Sequence, residues 1–107
     1  MLTLDEITAR VRPVAEKYRL RSVDVFGSYA RDKATEHSDV DLIVDRSGST
    51  VRGLLDMSAL YDDLCASIGK EIDLVTEQTL NQKSTAKRSP EFAETVRKER
   101  VRIYARS

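Results

Sequence analysis

The stretch that decides the fold is Val25-Phe26-Gly27-Ser28-Tyr29-Ala30-Arg31, followed six residues later by Ser38-Asp39-Val40-Asp41-Leu42. Ser22 to Phe26 reads as a short strand with Val23 and Val25 on one face, and Gly27-Ser28 ends it. Glycine at that point can take positive φ, so the backbone turns sharply and approaches a ligand closely. Ser28 is predicted to open a short helix to Lys33. The free N–H groups there and the Ser28 hydroxyl would cradle phosphate oxygens, with Arg31 one turn on and able to add a forked contact. Val40 to Val44 reads as the second strand. Asp39 and Asp41, at i and i+2, share one face with Cα atoms about 7 Å apart, while Val40, Leu42 and Val44 face a core. Hard oxygen ligands without a nearby His or Cys suit Mg²⁺, or Mn²⁺.

Outward from this stretch, the chain alternates between helical and strand periods. Leu4, Ile7, Val11, Val14 and Tyr18 recur at helical spacing behind a Thr3/Glu6 capping box, and Pro13 is expected to kink that helix near Ala9 to Arg12. Ser47 to Thr50 reads as a loop. Leu54, Met57, Leu60/Tyr61, Leu64/Cys65 and Ile68 form an amphipathic helix that Gly69 ends. Glu71 to Val75 is a third strand of the same parity: Ile72 and Leu74 face one side, and Asp73 the other. If it lies beside the second strand, Asp73 joins Asp39 and Asp41 in a set suited to two-metal phosphoryl or nucleotidyl transfer. Ser89-Pro90 is predicted to start a closing helix, and Val101 to Tyr104 fits a helix end or a short edge strand. The fold class expected is α/β (α+β): a small mixed sheet of three or four strands flanked by helices, in the order αβαβαβα, forming a single domain over residues 1–107.

Composition sets limits. The chain has 107 residues, with 40% hydrophobic and 34% charged residues, an ordinary globular usage. Eighteen bases balance eighteen acids, which argues against a general polyanion binder, so no direct nucleic-acid binding is expected. Residues 21–79 carry about −6 and residues 80–107 about +5; the basic tail is expected to present a solvated face or a partner surface. No apolar run is long enough to span a membrane, no signal peptide is apparent, and one cysteine, Cys65, suits a cytoplasmic location. His37, the lone histidine, reads as a loop residue, and Cys65, Tyr18, Tyr61 and Tyr104 as core. Tyr29, next to the phosphate turn, is a candidate to border a nucleobase.

Gly-Ser, ten residues, then Asp-x-Asp resembles the signature of the DNA polymerase β-like nucleotidyltransferases, and the surrounding residues resemble the minimal nucleotidyltransferases (MNT proteins) within it. The resemblance implies a nucleotidyltransferase-like fold over nearly the whole chain. It implies that Gly27 and Ser28 hold the nucleotide, that Asp39 and Asp41 bind the metals, and that Asp73, on Ile72-Asp73-Leu74-Val75, completes the metal site and can help deprotonate the attacking hydroxyl. One position departs from the pattern: Asp32 stands where relatives commonly carry Gly after the Arg. The family further implies ATP as substrate and a helical HEPN-type RNase toxin as partner, inactivated by adenylylation of a tyrosine. Residues 76–107 are too few to build an acceptor-binding domain, so the acceptor is expected on a partner. A non-catalytic antitoxin binding module and a small-molecule nucleotidyltransferase with a helical partner subunit are the alternatives.

Overall fold

The computed structural model describes residues 2–31, 33–80 and 98–106. The described elements are α1 (Leu4–Tyr18), β1 (Ser22–Phe26), β2 (Val40–Asp45), α2 (Leu54–Ile68), β3 (Ile72–Thr76), the single-turn α3 (Glu77–Leu80) and β4 (Val101–Ala105). They form a four-stranded mixed sheet in the order β3-β2-β1-β4, with β2 and β3 parallel and the other pairs antiparallel. The α+β class and mixed sheet expected from the sequence are present.

Local chemistry explains the boundaries. Thr3 caps α1: its hydroxyl accepts from Glu6 N–H, and the Glu6 carboxylate accepts from Thr3 N–H. α1 runs unbroken through Pro13 to Tyr18, and Arg19 closes it in the left-handed region at φ 58°. Gly69 ends α2 with its N–H donating to Cys65 O. Because β2 and β3 are parallel, α2 must carry the chain back between them. The C-terminal strand is stitched to the body by Arg106, whose N–H donates to Arg21 O and whose guanidinium donates to Arg19 O and Gly48 O.

The two long helices pack together on one face of the sheet. Ile7, Val11, Leu60, Leu64 and Ile68 meet Val23, Val25, Val40, Leu42 and Val44 there, all fully buried, and each contributes roughly 1.5–3 kcal/mol of apolar transfer. The opposite face carries Asp24, Phe26, Asp41, Ile43, Asp73 and Val75, as the pairing register requires. One sheet thus separates an apolar, helix-covered face from a face rich in carboxylates.

Two expectations change. Residues 27–31 form a hydrogen-bonded turn rather than the start of a helix, so the described elements run αββαβαβ rather than αβαβαβα, while Val101–Ala105 takes the edge-strand form that was one of its two expected readings. Tyr61, read as core, is exposed, as is Leu54 of the same apolar series, because only Leu60, Leu64 and Ile68 of α2 are buried. Pro13 lies on an exposed part of α1, where its missing donor is cheap. The closing helix at Ser89-Pro90 and the position of Asp32 lie outside the described residues. Among the described residues no helix is long and apolar enough to cross a membrane.

Candidate active site

The site forms where β1 ends. Gly27 has φ 71°, a conformation that a Cβ penalises. Arg31 N–H donates to Gly27 O at 3.1 Å and Lys33 N–H to Ser28 O at 2.9 Å, so the chain curls tightly at the turn. Glycine is required for a second reason: a Cβ at Gly27 would collide with Asp41 Oδ2 and lie 3.2 Å from its Cγ. The carboxylate of β2 therefore rests against the bare backbone of the turn. A nest of backbone N–H groups beside a carboxylate can share a cation-bound anion such as a nucleotide phosphate.

The carboxylates are brought together by register. Phe26 of β1 pairs with Asp41 of β2, and Asp41 pairs with Asp73 of β3, placing the two Asp side chains on one face at directly opposed positions. Asp39, two residues before Asp41, adds a third carboxylate on that side. Asp41 is half-buried, whereas Asp39 and Asp73 are exposed. Burial, then the charges of Asp73 and Asp39, push the Asp41 carboxyl up to about 6, with Arg31 opposing the shift. Each charge acting on Asp41 from this set is negative, which makes the position favourable for a cation.

Oxygen-only donors in this arrangement fit a hard divalent ion such as Mg²⁺ or Mn²⁺. Among the described residues no three His, Cys or carboxylate side chains stand at the spacing of a formed metal cluster. Asp39 and Asp73 are exposed.

Arg31 is about half exposed and sits on the same side, its Nε 3.7 Å from Glu99 Oε2. Ser28 is half-buried at the turn. The structure thus brings together all six residues singled out in the sequence: Gly27, Ser28, Arg31, Asp39, Asp41 and Asp73. Tyr29 is not among them. It is buried in the helix-side core, and its hydroxyl accepts from Lys70 Nζ at 3.2 Å, so it does not border the turn's ligand face. His37 lies in an exposed loop, as expected.

A second charged cluster on the same sheet face was not read from the sequence. Asp24, only 2% exposed, accepts from Arg100 Nε and from Arg102 Nε, the latter at 3.0 Å. Arg100 also pairs with Glu77 at the start of α3. The only sequence signal was the polar Asp24 between Val23 and Val25. Arg100 and Arg102, taken with the tail as a partner surface, are instead bound internally, because a buried carboxylate needs a cation. Arg97 lies outside the described residues.

Comparison with known proteins follows this geometry. Residues 11–103 match the model of the nucleotidyltransferase domain family. The chain is 40% identical over 84 residues to protein adenylyltransferase MntA of Thermococcus cleftensis, covering 75% of this chain and 83% of that protein. It superposes on a solved minimal nucleotidyltransferase at 32% identity with a TM-score of 0.68, covering 94% of this chain and 96% of that one. It shares its fold, at 14% identity and a TM-score of 0.63, with a chain in the complex of a tri-AMPylated Shewanella oneidensis HEPN toxin with an MNT antitoxin, covering 97% of this chain and 74% of that one.

Proposed function

Because the chain belongs to the nucleotidyltransferase domain family and is therefore a nucleotidyltransferase, we propose that it transfers AMP from ATP to a hydroxyl of a partner protein, acting as the antitoxin of a helical HEPN-type toxin. The observation that carries the reading is the in-register pairing of Asp41 with Asp73 directly against the Gly27 turn. The adenylyltransferase and toxin–antitoxin names of the relatives support the choice of ATP and partner.

In this reading the backbone donors of the Gly27–Ser28 turn and the Ser28 hydroxyl hold the triphosphate, and Arg31 adds a forked contact. A divalent cation held by Asp39, Asp41 and Asp73 would offset their mutual repulsion and stabilise charge on the attacking and leaving oxygens. The acceptor hydroxyl oxygen attacks the α-phosphorus, an O–P bond forms, and the bond to the β-phosphate oxygen breaks. Pyrophosphate leaves, and the hydroxyl proton passes to Asp73, which is exposed. Asp39 and Asp73 are exposed, so a partner can supply both the acceptor and its positioning.

The test is incubation with α-labelled ATP, Mg²⁺ and a candidate helical partner. Label on the partner, lost with Asp41→Asn, is the expected result. Label on a small molecule instead would move the acceptor, and tight partner binding without any transfer would make the chain a non-catalytic binding module.

A further inference from the structure

Arg31 is held from behind. Its Nε faces Glu99 Oε2 at 3.7 Å, a contact that does not use the two terminal nitrogens of the guanidinium fork, the pair suited to a phosphate. Glu99 itself is not on a loose surface segment. The next residue, Arg100, is fixed by buried Asp24 of β1 and by Glu77, and Arg102 also reaches Asp24. Beyond them β4 pairs with β1. An anchored carboxylate thus stands behind the guanidinium closest to the turn.

We propose that Glu99 is a positioning residue for ATP: it sets Arg31 for the triphosphate, and the Asp24–Arg100–Glu77 cluster holds Glu99 in place. The inference rests on the reading of the Gly27–Ser28 turn as the nucleotide site. Glu99 does not touch the substrate and acts through Arg31 alone. Its contact falls on Nε rather than on the terminal nitrogens, so it orients the fork without occupying it. A side chain as long as Arg carries several rotatable bonds, and restricting them before the ligand arrives lowers the cost of binding.

The test is a double-mutant cycle on the full chain, read as the dissociation constant for ATP with Mg²⁺ by calorimetry. Glu99→Ala is expected to weaken ATP about threefold, within the range for one exposed ion pair, and Glu99→Gln less. Arg31→Ala is expected to weaken it more, and adding Glu99→Ala to Arg31→Ala should then change nothing further, since positioning needs the group positioned. The melting temperature of Glu99→Ala should stay unchanged, which separates positioning from general destabilisation. Unchanged or tighter ATP binding in Glu99→Ala overturns the inference, as does a Glu99→Ala effect that persists in full without Arg31. If Arg31→Ala binds ATP normally while Ser28→Ala and Gly27→Ala do not, the relay falls and the nucleotide site stands. Normal binding in all three variants removes the site reading and the relay together.

Discussion

The polar face of the sheet holds two sets of acids that the fold treats in opposite ways. Among the described residues, Asp39, Asp41 and Asp73 share one side with Arg31 the charge opposing them at Asp41, whose carboxyl is pushed up to about 6 by burial and by its two neighbours. Asp24, one step along β1 from the Phe26–Asp41 pair, is buried more deeply, yet lies between Arg100 and Arg102. A buried charge that serves the fold is neutralised inside the chain. A charge set that the described residues leave largely unneutralised is available to a cation or a ligand. The contrast separates the clamp from the site without reference to any relative.

Breaking the site should leave the clamp untouched, and it carries the largest effect. Asp41→Asn is expected to lower AMP transfer on the order of 10³-fold, with folding intact, checked by label transfer and circular dichroism. Asp73→Asn should behave alike; full activity in either variant would remove that residue from the set. Breaking the clamp should do the converse. Asp24→Asn strands Arg102 and half of Arg100's contacts, at a cost of about 3 kcal/mol in chemical denaturation, while Asp41 and Asp73 stay in register. A variant as stable as the parent would show that the cluster is incidental.

Gly27→Ala touches both sides of the comparison. It forces a left-handed Ala, about 1–2 kcal/mol, and pushes its Cβ onto the Asp41 carboxylate, so stability and ATP binding should fall together. A variant that loses neither would mean the turn relaxes freely.

The charge difference also has a pH signature in metal-free protein. Asp41 titrates higher in the folded chain than its ordinary 3.8, so folding favours its protonated form. That contribution is present below about pH 4 and lost as pH rises through about 6. Asp41 is half exposed, so the loss is about 1–2 kcal/mol after allowance for solvent screening. Comparing urea midpoints of parent and Asp41→Asn between pH 4 and 7 should show the gap widening in favour of the variant; a constant gap would contradict the assigned crowding. The smallest effect is expected from Ser28→Ala, which removes one hydroxyl donor and should weaken ATP binding several-fold, about 1 kcal/mol, without lowering the melting temperature.

The grouping of the candidate site's residues was legible in the sequence because its parts obey local periods. Strand parity puts Asp39 and Asp41 on one side and Val40, Leu42 and Val44 on the other, wherever the strand lies. Glycine after a strand marks a turn, and the Thr3 and Gly69 caps follow from backbone chemistry alone. Local pattern misled where exposure depends on neighbours: Leu54 and Tyr61 continue the apolar period of α2 but are exposed, and Tyr29 follows Gly27-Ser28 in sequence while it is buried in the core.

What the sequence determined by itself was the set of short-range objects: which residues turn, which alternate, and which acids share a strand face. Only the tertiary structure decided that β3 lies parallel beside β2 with Asp73 opposite Asp41, because register between strands 32 residues apart is fixed by packing and not by pattern. The same holds for Asp24 and Arg100, separated by 76 positions. Nothing local distinguishes a tail arginine that will meet a partner from one that will meet a buried carboxylate. That choice belongs to β4, which enters the sheet at its far edge and carries its charges onto the polar face.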